Sequence, residues 1–255
     1  MGQEYEFYGQ ELHFTRPAHS VPAESVVIVE AAANITSESE VRPMPPTPLP
    51  TAGLDSVGEV TQCRTSTATH IYELNGSFAD SKGGPSLVPR GGSLVNGGYR
   101  FGKDQGLELV GAFANPEKYT IIVGLTFDNM SGTWQKILDF KDRRVDSGLY
   151  TYHVSPSQSA TLKFYPQSGS VGSVLPRARN RYVLVRNSDG VAKTYVNNSS
   201  QFLWNDTKKE AVPDGNRLLI GIDDLFVPNE NDSGMVHWIS IFSDPLCAGD
   251  IIAAN

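Results

Sequence analysis

From Thr69 to the end of the chain, short runs of β-branched and aromatic residues follow one another with little but turn residues between them. IYEL, YRF, LELVG, YTIIVGLTF, WQKILDF, GLYTYHV, TLKFY, RYVLVR, VAKTYV, RLLIGI and MVHWISIF are separated by clusters of Gly, Asn, Asp, Ser and Pro. None of this carries apolar residues at helical spacing for long enough to predict a secure helix; only PLCAGDIIAA could form a turn or two near the end. Many short strands with turn signals between them predict an all-β sandwich or barrel. About a dozen strands in about 190 residues fit a jelly roll of two antiparallel sheets better than a seven-stranded immunoglobulin domain.

One hairpin can be read residue by residue. RYVLVR and VAKTYV flank Asn187-Ser188-Asp189-Gly190, and Gly190 can take the left-handed conformation that closes such a turn without Cβ strain. Beyond this pair lies the polar strip NNSSQFLWND, expected at the rim of the sandwich.

The first 65 residues differ in kind. Between Phe14 and Tyr72 there is no Phe, Tyr or Trp, and five prolines fall within residues 43–50. That run favours an extended, polyproline-like chain and excludes helix. SVVIVEAA, at 25–32, reads as a lone strand with nothing of its own to pair with. Residues 1–65 are therefore expected to form an extended acidic arm, and residues 66–255 the sandwich.

Charge excludes some partners. The net charge is −7; residues 1–65 hold nine Asp or Glu against three Arg, and neither part has the basic surplus that would hold a phosphate backbone. No apolar run approaches the ~20 residues that cross a bilayer, and the acidic start MGQEYEFYGQEL does not read as a secretion leader. Nucleic acid and membrane insertion are thus not expected. Cys63 and Cys247 are too few for a metal site. Two free thiols are the preferred expectation, and a single bridge between the start and end of one domain is the alternative.

Four blocks carry a resemblance: YELNGSFADSKGGPSLVPRGGSLVNGGYRFGKDQGLELV, KILDFKDRRVDSGLYTYH, YVLVRNSDGVAKTYVNN and GMVHWISIFSDPLCAGDI. In this order they resemble a laminin-G-like domain of the concanavalin A-like lectin and glucanase superfamily, over residues 68–253. The resemblance implies two curved antiparallel sheets, with the Asp-Gly hairpin among the central strands. It also implies a calcium question, because related domains hold Ca²⁺ with hard oxygen ligands at a loop rim. Asp223, Asp224, Glu230 and Asp232 in GIDDLFVPNENDSG are candidate ligands, with Asp80 matching an early family Asp. The final-strand acid that would share the metal with Asp80 is replaced here by His237. A solvated acidic loop is the simpler alternative.

Other motifs fail on context. GGYRFGKD nearly fits a phosphate loop, but Asp104 stands where Ser or Thr is needed and a strand follows instead of a helix. No G-x-S-x-G occurs, and no strand reads Glu-x-Asp-x-(x)-Glu, the spacing that would place paired carboxylates on one face for glycoside cleavage. Asp139 is read as a structural carboxylate holding a loop. Sugar recognition would use an aromatic face beside amides; Trp204, Asn197, Asn198 and Trp134 are the candidates, while Trp238 is assigned to the core. Asn-x-Ser/Thr strings begin at Asn34, Asn75, Asn129, Asn197, Asn198, Asn205 and Asn231, and are read as turn chemistry.

The expected function is a non-catalytic binding and surface-display module with a glycan or cell-surface ligand. Its arm would fasten it to a protein assembly such as a phage capsid or tail, at a virion surface, and self-association as a homo-oligomer suits that role. The alternatives are an extracellular bacterial adhesion domain and a polysaccharide hydrolase or lyase with an unrecognised site.

Overall fold

The computed structural model describes residues 66–129, 134–153, 160–171, 174–227 and 230–254, and the backbone of two N-terminal strands. The chain divides into two units, Met1–Gly53 and Leu54–Asn255. In the first, β1 (Gln3–Tyr8) pairs antiparallel with β2 (Glu11–Arg16), with Tyr8 opposite Glu11. The acidity of this stretch masks a strand signal: Tyr5, Phe7, Leu12 and Phe14 recur at period two. The strand expected at 25–32, the proline run at 43–50 and Cys63 lie outside the described residues.

The second unit is built from β3 (His70–Tyr72), β4 (Val88–Arg90), β5 (Ser93–Val95), β6 (Gly98–Phe101), β7 (Gly106–Val110), β8 (Tyr119–Phe127), β9 (Trp134–Asp139) and β10 (Gly148–Tyr152). It continues with β11 (Thr161–Tyr165), β12 (Ser168–Val171), β13 (Asn180–Arg186), β14 (Val191–Val196), β15 (Ser199–Asn205), β16 (Arg217–Ile220), β17 (Gly234–Phe242) and α1 (Ala248–Ala253). Two antiparallel sheets result, as the strand spacing predicts. One runs β12-β11-β10-β9-β16-β7-β4; the other runs β15-β14-β13-β8-β17-β6-β5, with β3 also paired to β17.

The nine-residue β8 shows how the layers are set. Ile121, Val123, Leu125 and Phe127 project into the core with Leu107, Leu109, Leu162, Phe164, Leu218 and Ile220. Burying a side chain of this size contributes ~1.5–3 kcal/mol. Ile122, on the other face of β8, joins a second cluster with Val183, Val185, Tyr195, Phe242, Leu246 and Ile251. Ile251 belongs to α1, so the short C-terminal helix packs on the outer face of the eight-stranded sheet.

The β13–β14 hairpin closes as its residues dictate. Gly190 has φ 89°, its N–H donates to Asn187 O at 3.0 Å, and Asp189 Oδ1 accepts the Val191 N–H at 3.0 Å. GGYRFGKD forms β6 and a turn in which Gln105 N–H donates to Gly102 O at 3.1 Å. Two expectations need correction. The polar strip after the hairpin is not a rim loop but β15, an edge strand of the eight-stranded sheet. Cys247 is disulfide-bonded rather than a free thiol; separation along the sequence says nothing about proximity in space.

Candidate functional site

A strand irregularity creates the most distinctive surface feature. Along the β8–β17 ladder Val236 stands opposite Leu125 and Trp238 opposite Gly124, so His237 is an extra, bulged residue. The bulge inverts the side-chain alternation. Val236 enters the core before it, and Ile239 and Ile241 enter after it, which leaves Trp238 on the outer face against the second cluster. Gly124 leaves room for the indole: a Cβ there would lie 2.6 Å from Trp238 Nε1.

Trp238 and Gly124 line a pocket of about 450 Å³ with Arg179, Asn180, Arg181, Asn197 and Asn198. Asn180 Oδ1 accepts the Leu175 N–H at 2.8 Å and Asn197 Nδ2 at 2.9 Å, while its Nδ2 donates to Leu175 O at 2.7 Å. Asn197 and Asn198 make the β14–β15 turn at φ 48° and 70°, a left-handed conformation that Asn tolerates. Their side-chain oxygens accept from Arg181, Asn197 from its N–H at 2.9 Å and Asn198 from Nη1 at 2.8 Å. Arg181 Nη2 reaches Ile251 O at 2.6 Å and Ala254 O at 2.8 Å, so the same guanidinium tethers α1. Burial lowers the Arg181 pKa from its ordinary value, and its Nε is buried without a hydrogen-bond partner. Arg179 is exposed. Bulged His237 bridges the strands, with Nε2 2.9 Å from Thr126 Oγ1 and Nδ1 3.2 Å from Gly97 O. Burial, aided by the positive charge of Arg179 against the opposing Gly97 bond, lowers its imidazole pKa.

Asn197 and Asn198 thus lie at the pocket, but the other two candidates do not. Trp204 is 7% exposed and stacks on Phe164 at 4.7 Å. It is a core residue, because β15 turns Phe202 and Trp204 inward together. Trp134 is half-buried on the other sheet, 4.8 Å from the Tyr152 ring, with Lys163 Nζ 5.5 Å from its own ring centroid. Trp238, expected in the core, takes the surface role instead. A signal for this was present: Val236 and Ile239 cannot share a face on a regular strand.

The acidic candidates do not converge on a cation. Asp224 Oδ2 receives Lys136 Nζ at 2.6 Å and the Tyr150 hydroxyl at 2.9 Å, and its Oδ1 accepts the Phe226 and Val227 N–H groups, each at 2.8 Å. A buried ammonium therefore stands beside the carboxylate that a metal would need. Lys136 also pairs with Asp139 Oδ2 at 3.1 Å, and Asp139 Oδ1 accepts the Lys141 and Arg143 N–H groups at 3.0 and 3.1 Å, the loop-holding role expected of it. Asp223 Oδ2 accepts the Glu230 N–H at 2.8 Å. Burial and the negative charges of Asp223, Asp146 and Asp224 push the Glu230 carboxyl up to about 7. Burial would raise Asp224, but the Lys136 and backbone hydrogen bonds hold it below its ordinary value.

Asp80 belongs to a separate network. Its Oδ2 lies 2.7 Å from His70 Nδ1 and accepts the Gly84 N–H at 2.9 Å, while Oδ1 accepts from Ile71 and Lys82 at 2.8 and 3.0 Å. These bonds outweigh burial and lower its pKa. Among the described residues, no three His, Cys, Asp or Glu side chains form a group that could hold a metal ion; Asp80 stands in a network apart from Asp223, Asp224 and Glu230, and Asp223 Oδ1 is buried without a hydrogen-bond partner.

No protein-family model and no curated protein matches the chain. Solved structures do. Trypanosoma rangeli sialidase in complex with sialic acid matches with a TM-score of 0.55 and 14% identity, over 68% of this chain and 30% of that one. The receptor-binding domain of botulinum neurotoxin C/D mosaic serotype matches at 0.54 and 13%, over 73% of this chain and 50% of that one. Domain 4 of a GH43 extracellular arabinanase from Geobacillus stearothermophilus, in complex with arabinotriose, matches at 0.52 and 14%, over 74% of this chain and 98% of that one. The chain thus spans less than a third of the sialidase. At these identities the likeness shows the fold: an antiparallel β-sandwich.

Proposed function

We propose that this chain is a non-catalytic binding module of the laminin-G-like, concanavalin A-like type, which holds a saccharide in the Trp238 pocket. One observation carries this: an aromatic ring set on the outer face by a bulge, beside the amides of Asn197 and Asn198 and two guanidinium groups. Such a volume lies in the range of small-ligand sites, about 300–1,000 Å³, and an aromatic face with a polar rim suits a pyranose. The arabinotriose-bound arabinanase domain and the toxin's receptor-binding domain support a binding role on this fold. Asp139 and Asp224, being tied to Lys136 and backbone N–H groups, favour the non-catalytic side. The test is a glycan array with the full chain: binding that Trp238→Ala removes is expected, and an array with no bound glycan overturns the proposal.

The module is placed at a virion or other extracellular surface, with the N-terminal segment as its fastening to a capsid or tail protein. The disulfide at Cys247 suits an oxidising exterior. Deleting residues 1–60 should leave a folded sandwich that no longer joins its parent particle. Normal incorporation of the truncated protein would rule out the fastening role.

A further inference from the structure

We infer that the Trp238 pocket selects saccharides bearing an anionic group, a carboxylate or a sulfate, with Arg179 as the anion-binding residue and Trp238 as the platform for the sugar ring. This rests on the saccharide-binding function proposed above and names its ligand class.

The pocket is locally basic. Residues 66–255 are close to electroneutral, with 18 Lys or Arg against 19 Asp or Glu, and the pocket lining holds two arginines and no Asp or Glu. A neutral sugar needs no such local excess; an anionic one gains from it, because a cleft lined by one sign of charge draws in the opposite sign.

The two arginines are not equivalent. Arg181 is 8% exposed, and its Nη groups are committed to Asn198, Ile251 and Ala254. It contributes a fixed positive charge and stiffens the wall, and its buried Nε still lacks a partner. Arg179, two residues earlier, is exposed and makes no ion pair or side-chain hydrogen bond among the described residues. Among the other described arginines, Arg90, Arg100, Arg144, Arg186 and Arg217 each meet a carboxylate, while Arg177, exposed like Arg179, meets none but lies outside the pocket lining. A free guanidinium offers a planar fork that matches carboxylate or sulfate oxygens two at a time. Lying beside an aromatic face, it would read the acidic substituent while the ring stacks on Trp238.

The experiment is calorimetric titration of the full chain with lactose, sialyllactose, a glucuronate-terminated disaccharide and sulfated lactose, at low and at high salt. At least one acidic sugar should bind about tenfold more tightly than lactose, and the advantage should shrink with salt. Arg179→Gln should collapse the ratio of acidic to neutral affinity without lowering the melting temperature. Whether the carboxylated or the sulfated sugars show the preference identifies the anion. Lactose binding as tightly as every acidic sugar, or a ratio unchanged in Arg179→Gln, overturns the inference while leaving saccharide binding in place. If none of the sugars binds and the glycan array is also empty, both fall.

Discussion

Trp238 stands opposite Gly124 across the β8–β17 ladder, close enough that a methyl group on Gly124 would come within 2.6 Å of the indole nitrogen. The glycine is a seat for the ring rather than a hinge, and the contact is side chain against prospective side chain. Gly124→Ala should therefore displace the indole and weaken saccharide binding, at an overpacking cost of ~1–3 kcal/mol. Trp238→Ala should abolish binding while costing less than the ~3–5 kcal/mol of a fully buried tryptophan. Paired binding and melting measurements on both variants check this; unchanged binding in both would remove the pocket from consideration.

Trp204 should behave in the opposite way. Packed against Phe164 and Phe202 in the inter-sheet core, it should cost ~3–5 kcal/mol when replaced by alanine. Chemical denaturation reads this directly, and a loss below about 1 kcal/mol would contradict the core assignment.

Asp224 is the hub of the acidic loop. Asp224→Ala strands the Lys136 ammonium, fully buried beside Asp139, and frees two loop N–H groups. Removing one partner of a buried pair costs ~3–5 kcal/mol. Limited proteolysis should also show faster cutting near the exposed Leu225, Phe226 and Val227. Wild-type stability and cleavage would show that the ion pair does not hold the loop.

Stability should depend on pH through Glu230. Its folded-state pKa, about 7, lies above the ordinary value of 4.5, so between those values the folded chain binds more protons than the unfolded one. Stability from this group is then full below the unfolded value and falls as pH rises toward the folded one. Asp80 and Asp224 have lowered pKa values and act with the opposite sign, in the acid range below the ordinary Asp value. Glu230→Gln should raise the melting temperature near pH 8 and have little effect near pH 4. A melting curve series from pH 4 to 8 that is the same in both proteins would exclude this assignment.

Local pattern made much of the sandwich legible. Alternation in RYVLVR and VAKTYV, a glycine able to reach φ 89° at Gly190, and turn residues between every pair of runs specify strands and hairpins, because these depend on neighbours in sequence. The same pattern missed β15, whose serines and asparagines hide the inward pair Phe202 and Trp204. It also missed β1 and β2, where charge hides the alternation of Tyr5, Phe7, Leu12 and Phe14.

The candidate site was half legible. Asn197 and Asn198 could be picked out because a turn needs residues that accept left-handed φ, and a turn at a strand end faces outward. Which tryptophan met solvent could not be. That depends on whether β17 keeps its alternation past Val236, and the bulge at His237 is settled by pairing with β8 and by packing on both faces. Lys136 and Asp224, 88 residues apart, likewise meet only when the loop folds over the sheet. The sequence by itself determined strand, turn and fold class; tertiary packing decided facing, partner and charge compensation, since burial exists only once distant segments have closed around a residue.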